Sequence, residues 1–275
     1  MKVVGMDIGG SSVRAVLRNK YGVKKMVINR GMNLASVSEK EIEEILSKVR
    51  ESFGSVDVIN IGASGAGTRN RSEKLLRVLE KLFPDSRFFL KSDIEVIAKL
   101  CAEKENAVIV IAGTGSVVVS TSGKRKGGWG YLFNDEGGAF SIALRIIKRA
   151  FEFHDGLIEH DEIFDRLLDH FKVNSFQELS NIQMERNFHK KIASFTSNLI
   201  FTPLVMEILN EEMEKLARRV KALAAEESTD IVYAYGGVFS NKKIFEIFRE
   251  KLLGFVVKRC DIDVANELSK RRNGI

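Results

Sequence analysis

The sequence predicts an α/β protein built from two similar domains around a central cleft. A glycine-rich turn follows a run of β-forming residues twice, about a hundred residues apart, as Gly-Gly-Ser-Ser at 9–12 and Gly-Thr-Gly-Ser at 113–116. Such internal repetition is typical of two halves that pack as similar domains. A length of 275 residues, of which 44% are apolar, supplies material for two hydrophobic cores. We expect an N-terminal domain over 1–112 and a C-terminal domain over 113–275.

The first half opens with a β-hairpin and then alternates helices with strands. Ser38, followed three residues later by Glu41, has the pattern of a capping box and predicts the start of a helix. Pro84 predicts the end of a second helix just before it. The strands expected here are 3–8, 13–17, 23–28, 56–61 and 87–90, and the helices begin at 39 and span 75–83 and 94–100.

The second half repeats the opening hairpin, with strands at 107–112 and 117–119. The chain from 138 to 227 is then mostly helical, and apolar residues between 209 and 223 recur on one face of its last helix. A buried strand at 231–235 leads into Gly236 and Gly237, where the absence of side chains lets a ligand approach the backbone closely.

Composition narrows the class of protein. Lys and Arg are spread among many Glu residues, so the net charge of +6 does not indicate a nucleic-acid partner. Cys101 and Cys260 lie far apart without a Cys-x-x-Cys pattern, which predicts two buried thiols rather than a disulfide or a zinc site. No signal-like segment and no long apolar run is present. We therefore expect a cytoplasmic protein that binds neither membrane nor nucleic acid.

The two glycine tips carry the clearest functional signal. Glycine leaves backbone N–H groups uncovered by a Cβ, and neighbouring Ser or Thr hydroxyls add donors, so each tip can hold a phosphate oxygen. Two tips that face each other would clamp a polyphosphate. Asp7 stands beside the first tip, where a carboxylate suits a magnesium ion (Mg2+) that neutralises phosphate charge. The alternative for Asp7 is a cap on the turn.

Five short motifs follow one another along the chain in the order found in one family. Through these motifs the sequence resembles N-acetylglucosamine kinases of the BadF/BadG type, which belong to the actin, hexokinase and Hsp70 ATPase superfamily. The resemblance implies two ribonuclease-H-like domains with ATP and a sugar meeting in the cleft. It also implies transfer of the γ-phosphoryl group of ATP to a primary hydroxyl of N-acetylglucosamine or glucosamine. The motifs are residues 7–14, 113–116, 127–130, 134–137 and 236–238.

The resemblance assigns roles to individual residues. Asp93 matches the catalytic aspartate, Asp7 the carboxylate that anchors the metal, and Gly236 and Gly237 the residues against adenosine. The residues that match phosphate contacts are Gly9, Gly10, Ser11, Gly113, Thr114, Gly115 and Ser116. The residues that match contacts with the amino sugar are Asn33, Ser64, Gly65, Gly128, Trp129 and Asp135.

Two of these residues also have a purely structural interpretation. Asp93 follows a strand and could accept the proton of an attacking hydroxyl, but Asp also suits the N-cap of the helix at 94–100. Trp129 is the only tryptophan. A lone Trp usually belongs to a core or an interface, whereas the glycines on both sides of this one favour the wall of a ligand site.

A departure from the family near the C-terminus and two rival functions bear on this interpretation. The segment 263–266 stops short of the glycine- and alanine-rich helix that ordinarily packs back on the first domain. One rival is an ATPase that activates a 2-hydroxyacyl-CoA dehydratase through an iron–sulfur cluster shared across a dimer. The other is a sugar-binding regulator without catalysis. A homodimer is left open as the assembly.

Overall fold

The computed structural model describes residues 1–275. The chain forms two compact units. Unit 1 contains Met1–Glu103 and Asp261–Ile275, and unit 2 contains Lys104–Cys260. The boundary therefore lies earlier than the predicted position after residue 112, and the C-terminal residues belong to unit 1. The reason is that strand Val108–Ala112 pairs with two other strands of unit 2.

Unit 1 contains a five-stranded mixed sheet with its first strand at the centre. In space the order is β3-β2-β1-β4-β5. β1, β2 and β3 form an antiparallel meander, whereas β4 and β5 run parallel to β1. The carboxyl ends of the three parallel strands therefore meet at one edge of the sheet. The strands are β1 (Val3–Ile8), β2 (Val13–Asn19), β3 (Gly22–Ile28), β4 (Val58–Ala63) and β5 (Arg87–Ser92).

Three helices of unit 1 follow the predicted order: α1 (Glu39–Phe53), α2 (Arg69–Leu82) and α3 (Asp93–Cys101). The capping box at the start of α1 is confirmed, because Ser38 accepts from the Glu41 N–H and Glu41 accepts from the Ser38 N–H. α2 begins six residues before its predicted start at 75. Its first turns are entirely polar, so no apolar periodicity marks them.

The C-terminal segment forms a further helix, α11 (Val264–Ser269), which packs on β1. The expectation that this segment stops short of such a helix was wrong. α11 can approach β1 closely because residue 5 is a glycine. A Cβ at this position would collide with the carbonyl of Ala265. The buried side chain of Asn60 also donates to the carbonyl of Leu268 at 3.0 Å.

Unit 2 repeats the topology of unit 1. Read from β8, its spatial order is β8-β7-β6-β9-β10. This is the order of the first sheet, with β6 in the place of β1. The duplication predicted from two turns therefore extends to whole sheets. The strands are β6 (Val108–Ala112), β7 (Ser116–Ser120), β8 (Arg125–Gly127), β9 (Ile231–Tyr235) and β10 (Val256–Arg259).

Helices between β8 and β9 supply most of the core of unit 2, and the apolar face of the long helix Pro203–Glu227 is buried as predicted. None of the single helices combines the length and the apolar character required to cross a bilayer, although Phe188–Asn198 and Pro203–Glu227, bent by 120°, do so as a pair. The helices are α4 (Ala139–His154), α5 (Glu162–Phe171), α6 (Phe176–Ser180), α7 (Phe188–Ser194), α8 (Pro203–Glu227), α9 (Gly237–Ser240) and α10 (Lys242–Glu250).

The two cysteines correct another expectation. Neither Cys101 nor Cys260 is a free thiol. Spacing along the chain identifies local cysteine motifs, whereas a disulfide depends only on distance in the folded chain. Cysteine spacing therefore gives no support to a reducing compartment.

We predict that Gly5→Ala destabilises the protein by about 3 kcal/mol, because the new Cβ must displace α11 from β1. Urea unfolding measures the change. Gly67→Ala is the matched control, since a Cβ on Gly67 meets no atom within 4 Å. Equal stability of the two variants would contradict the close contact between β1 and α11.

Candidate active site

The first glycine tip joins β1 to β2 as a turn of four residues. Ile8 pairs with Val13, and the N–H of Gly9 donates to the carbonyl of Ser12 at 3.0 Å. Ser11 is exposed and makes no hydrogen bond within the protein. Its N–H and hydroxyl are therefore available to an anionic oxygen.

The loop after β3 packs against one side of this tip. A Cβ on Gly31 would collide with the carbonyl of Gly10, and the N–H of Met32 donates to the carbonyl of Gly9 at 2.9 Å. A Cβ on Gly10 itself would meet nothing within 4 Å. The tip is thus packed on one side and open on the other.

The second tip joins β6 to β7 and is one residue shorter. Ala112 pairs with Ser116, and the N–H of Gly113 donates to the carbonyl of Gly115 at 2.9 Å. The N–H groups of Thr114 and Gly115 and the Thr114 hydroxyl make no hydrogen bond within the protein. These three donors, rather than all four residues of the motif, are free to contact phosphate.

Ser116 has a different environment from the one expected of a phosphate ligand. It lies in β7, is buried, and donates its hydroxyl to the carbonyl of Glu136 at 2.7 Å. The carbonyls of Gly113 and Thr114 accept from the first two N–H groups of α4 at 2.8 and 2.9 Å. Ser116 and α4 therefore hold the base of the tip in place.

Asp7 lies at the end of β1, with 16% of its side chain exposed. Its carboxylate is 3.6 Å from the Arg14 guanidinium and caps no turn N–H, so the capping interpretation is not supported. Burial raises the pKa of Asp7 from 3.8 to about 6, Arg14 opposes the rise, and Asp93 and Asp263 add to it. These surroundings favour a cation at Asp7.

The residues fit a Mg2+ ion that is held partly by nucleotide. Mg2+ usually takes one or two carboxylates and completes its shell with phosphate oxygens and water. No group of three or more His, Cys, Asp or Glu side chains could hold a metal without such help. Asp7 is the carboxylate that stands beside the first tip.

Asp93 is the first residue of α3 and does not cap it. Ser92 is the N-cap, and Glu95 completes a capping box with it. The Asp93 carboxylate accepts from the N–H of Ile94 at 2.9 Å and from the hydroxyl of Ser64. Burial raises the pKa of Asp93 against the effect of these hydrogen bonds. The structural interpretation of Asp93 as a cap is therefore corrected.

The three sugar-contact candidates of unit 1 lie together. The N–H of Leu34 donates to the carbonyl of Ser64 at 3.0 Å. Gly65 has φ +81°, and a Cβ there would collide with the Asn33 side-chain oxygen. The exposed Asn33 amide nitrogen makes no hydrogen bond within the protein. Since the Ser64 hydroxyl also donates to Asp93, this group of residues contacts the candidate base.

The sugar-contact candidates of unit 2 lie close to the second tip. Trp129 is 64% exposed, with the Arg125 guanidinium 4.4 Å from its ring centroid, so it is not a core residue. Gly128, at φ +71°, packs on β7. Asp135 accepts from the N–H of Gly130 at 3.1 Å, and its carboxylate lies against Gly115. Burial raises the pKa of Asp135.

Gly236 and Gly237 differ in their surroundings. Gly236 has φ +112°, and a Cβ there would collide with the carbonyl of Ala112, directly before the second tip. Gly237 has open space where its Cβ would be. Gly236 therefore brings this loop close to the tip, and Gly237 presents accessible backbone.

Comparison with known proteins identifies the family of the chain. A sequence model of the BadF/BadG/BcrA/BcrD ATPase family matches residues 4–265. The chain belongs to this family.

Two relatives and one solved structure match this family member over three quarters of its length or more. It is 28% identical to an N-acetylmuramic acid/N-acetylglucosamine kinase of Clostridium acetobutylicum, over 91% of this chain and 90% of the relative. It is 24% identical to a glucosamine kinase of Vibrio cholerae, over 76% and 75%. The crystal structure of a candidate N-acetylglucosamine kinase from Porphyromonas gingivalis has a TM-score of 0.81 at 14% identity, over 97% of each chain. This likeness confirms the two-domain α/β fold.

One residue near the sugar-contact candidates was missed in the sequence. Lys74 of α2 donates its ammonium group to the carbonyls of Leu34 and Val37 at 3.1 and 2.5 Å. It thereby fixes the loop that carries Asn33. No local pattern signals this role, because a Lys on an amphipathic helix is usually solvated.

We predict that Asp7→Asn stabilises the metal-free protein at high pH. The folded state binds the Asp7 proton more tightly than the unfolded chain, so stability is lost as pH rises from 3.8 through about 6. The loss corresponds to about 3 kcal/mol, which the neutral Asn avoids. Urea unfolding in the presence of a metal chelator should show that Asp7→Asn is more stable than wild type at pH 8. The difference in the free energy of unfolding should shrink towards pH 4.

Asp85→Asn is the control for the loss of one negative charge, because it replaces an exposed carboxylate. An Asp7→Asn variant less stable than wild type at pH 8 would contradict the burial cost assigned to Asp7.

Proposed function

We propose that this protein is an ATP-dependent sugar kinase that transfers the γ-phosphoryl group to a primary hydroxyl of N-acetylglucosamine or glucosamine. The observation that carries the proposal is the setting of Asp93. Asp93 is not the N-cap of α3, and its partly buried carboxylate accepts a hydrogen bond from Ser64 within the group of sugar-contact candidates. A base in this position suits an acceptor hydroxyl.

In the proposed reaction, the free donors of Ser11, Thr114 and Gly115 bind the phosphates of ATP. Asp7 would hold Mg2+, which neutralises charge on the phosphate oxygens when bound. Asp93 accepts the proton as the sugar oxygen attacks the γ-phosphorus, and ADP leaves in line with the attack. The burial that raises the pKa of Asp93 brings it closer to that of an effective base near neutral pH.

Two relatives and two exposed side chains support an amino sugar as the substrate. Both relatives are named for kinases of amino sugars. Trp129 offers an exposed aromatic face, which suits the apolar face of a sugar ring. The unpaired amide nitrogen of Asn33 offers a donor to a sugar oxygen.

Release of ADP from ATP and Mg2+ in the presence of single sugars tests the proposal. We expect release with N-acetylglucosamine or glucosamine, much less with glucose, and almost none without sugar. Equal release with and without sugar would favour an ATPase activator. Sugar binding without release would favour a regulator.

We predict that Asp93→Asn lowers kcat about a hundredfold or more while ATP and sugar still bind, because the amide cannot take the hydroxyl proton. Ser92→Ala is the matched control, since it removes the cap of α3 but keeps the carboxylate. The control should lose about 1 kcal/mol of stability and retain most of its kcat. Near-normal kcat in folded Asp93→Asn would remove this residue from the mechanism.

We also predict that amino sugars change the fluorescence of Trp129, which is the sole tryptophan and is largely exposed. Titration with each sugar that is turned over should give a saturable change. A hexose that is not turned over is the control. A flat response to every substrate would count against a place for Trp129 at the sugar.

A further inference from the structure

Glu212 is a buried carboxylate that the proposed reaction does not use. It lies on α8 with 1% of its surface exposed. One oxygen accepts from the N–H of Gly137 at 2.8 Å and from the hydroxyl of Ser141 at 2.7 Å. The other lies 3.4 Å from the guanidinium of Arg145. A carboxylate is costly to bury unless such partners satisfy it.

These contacts place Glu212 at the start of α4. The N-cap of that helix is Gly138, which has no side chain to accept a hydrogen bond. Glu212 supplies a negative acceptor there, which favours the N-terminus of a helix. The first two N–H groups of α4 are bound by carbonyls of the second tip. The same helix start therefore connects Glu212 to that tip.

The two glycines before α4 are closely packed on both sides. A Cβ on Gly137, at φ +80°, would come within 2.7 Å of Leu216 on α8. A Cβ on Gly138 would come within 2.7 Å of the Gly115 backbone. The glycine pair is thus a thin layer between α8 and the second tip, so a shift on one side is passed to the other.

A second contact from α8 supports the same segment. Arg219 lies seven residues after Glu212 and pairs with the carboxylate of Glu136. The carbonyl of Glu136 in turn accepts the hydroxyl of Ser116. Two successive residues behind the tip are therefore held by two charged side chains of one helix.

We propose that Glu212 is a positioning residue for the phosphates of ATP. By holding Gly137, it keeps the start of α4 against the second tip and so keeps the N–H groups of Thr114 and Gly115 in place. Glu212 itself touches no substrate. This inference rests on the proposed function, in which the second tip binds phosphate.

Steady-state kinetics and binding of a non-hydrolysable ATP analogue test the inference. Glu212→Ala should raise the KM for ATP and the Kd of the analogue by about tenfold or more, because small displacements of binding groups are costly. The KM for sugar should change much less. Glu212→Gln keeps an acceptor oxygen and should recover most of the ATP affinity. Ser141→Ala removes one contact, is milder for folding, and should give an intermediate increase.

Leu223→Ala is the matched control, because Leu223 is fully buried on the same helix but far along it from Glu212. It should lose stability without a change in the KM for ATP. If wild type transfers phosphate and the Glu212 and Ser141 variants keep its ATP affinity, the inference fails and the proposed function stands. If wild type neither binds the analogue nor transfers phosphate, both fail.

Discussion

Backbone packed directly against backbone, at positions where only glycine fits, is the constraint on which both candidate phosphate tips depend. Gly31 lies on Gly10 in unit 1, and Gly138 lies on Gly115 in unit 2. In each case a Cβ would occupy space already filled by the neighbouring peptide. Each tip is therefore held by its own unit before any nucleotide binds, and its free N–H groups need no rearrangement to meet an anion.

Three acidic residues of the candidate site are buried at a cost in folding stability. Burial raises the pKa of Asp7, Asp93 and Asp135, so each carboxylate is less favourable in its charged form than it would be in water. A cation at Asp7 would relieve part of this cost. Enzymes commonly give up stability at reactive groups in this way. The buried carboxylate of Glu212 accepts hydrogen bonds from Gly137 and Ser141 and lies beside Arg145.

Features with a local cause could be predicted from the sequence. The hairpins follow from glycines between β-forming runs, and the start of α1 follows from Ser38 and Glu41. Features that depend on a residue distant in the sequence could not be predicted. The α11 helix packs on the sheet through Gly5, and the Ser116 hydroxyl turns to Glu136. Glu212 carries no local signal, because a Glu within a long helix has the pattern of a solvated residue.

The identity of the product tests the central claim, which is that a base beside the sugar-contact candidates directs the γ-phosphoryl group to a sugar. A phosphorus NMR spectrum of the protein with ATP, Mg2+ and N-acetylglucosamine or glucosamine identifies that product. We expect ADP together with a sugar phosphomonoester at the primary hydroxyl. ADP with inorganic phosphate alone, formed equally without sugar, would contradict it.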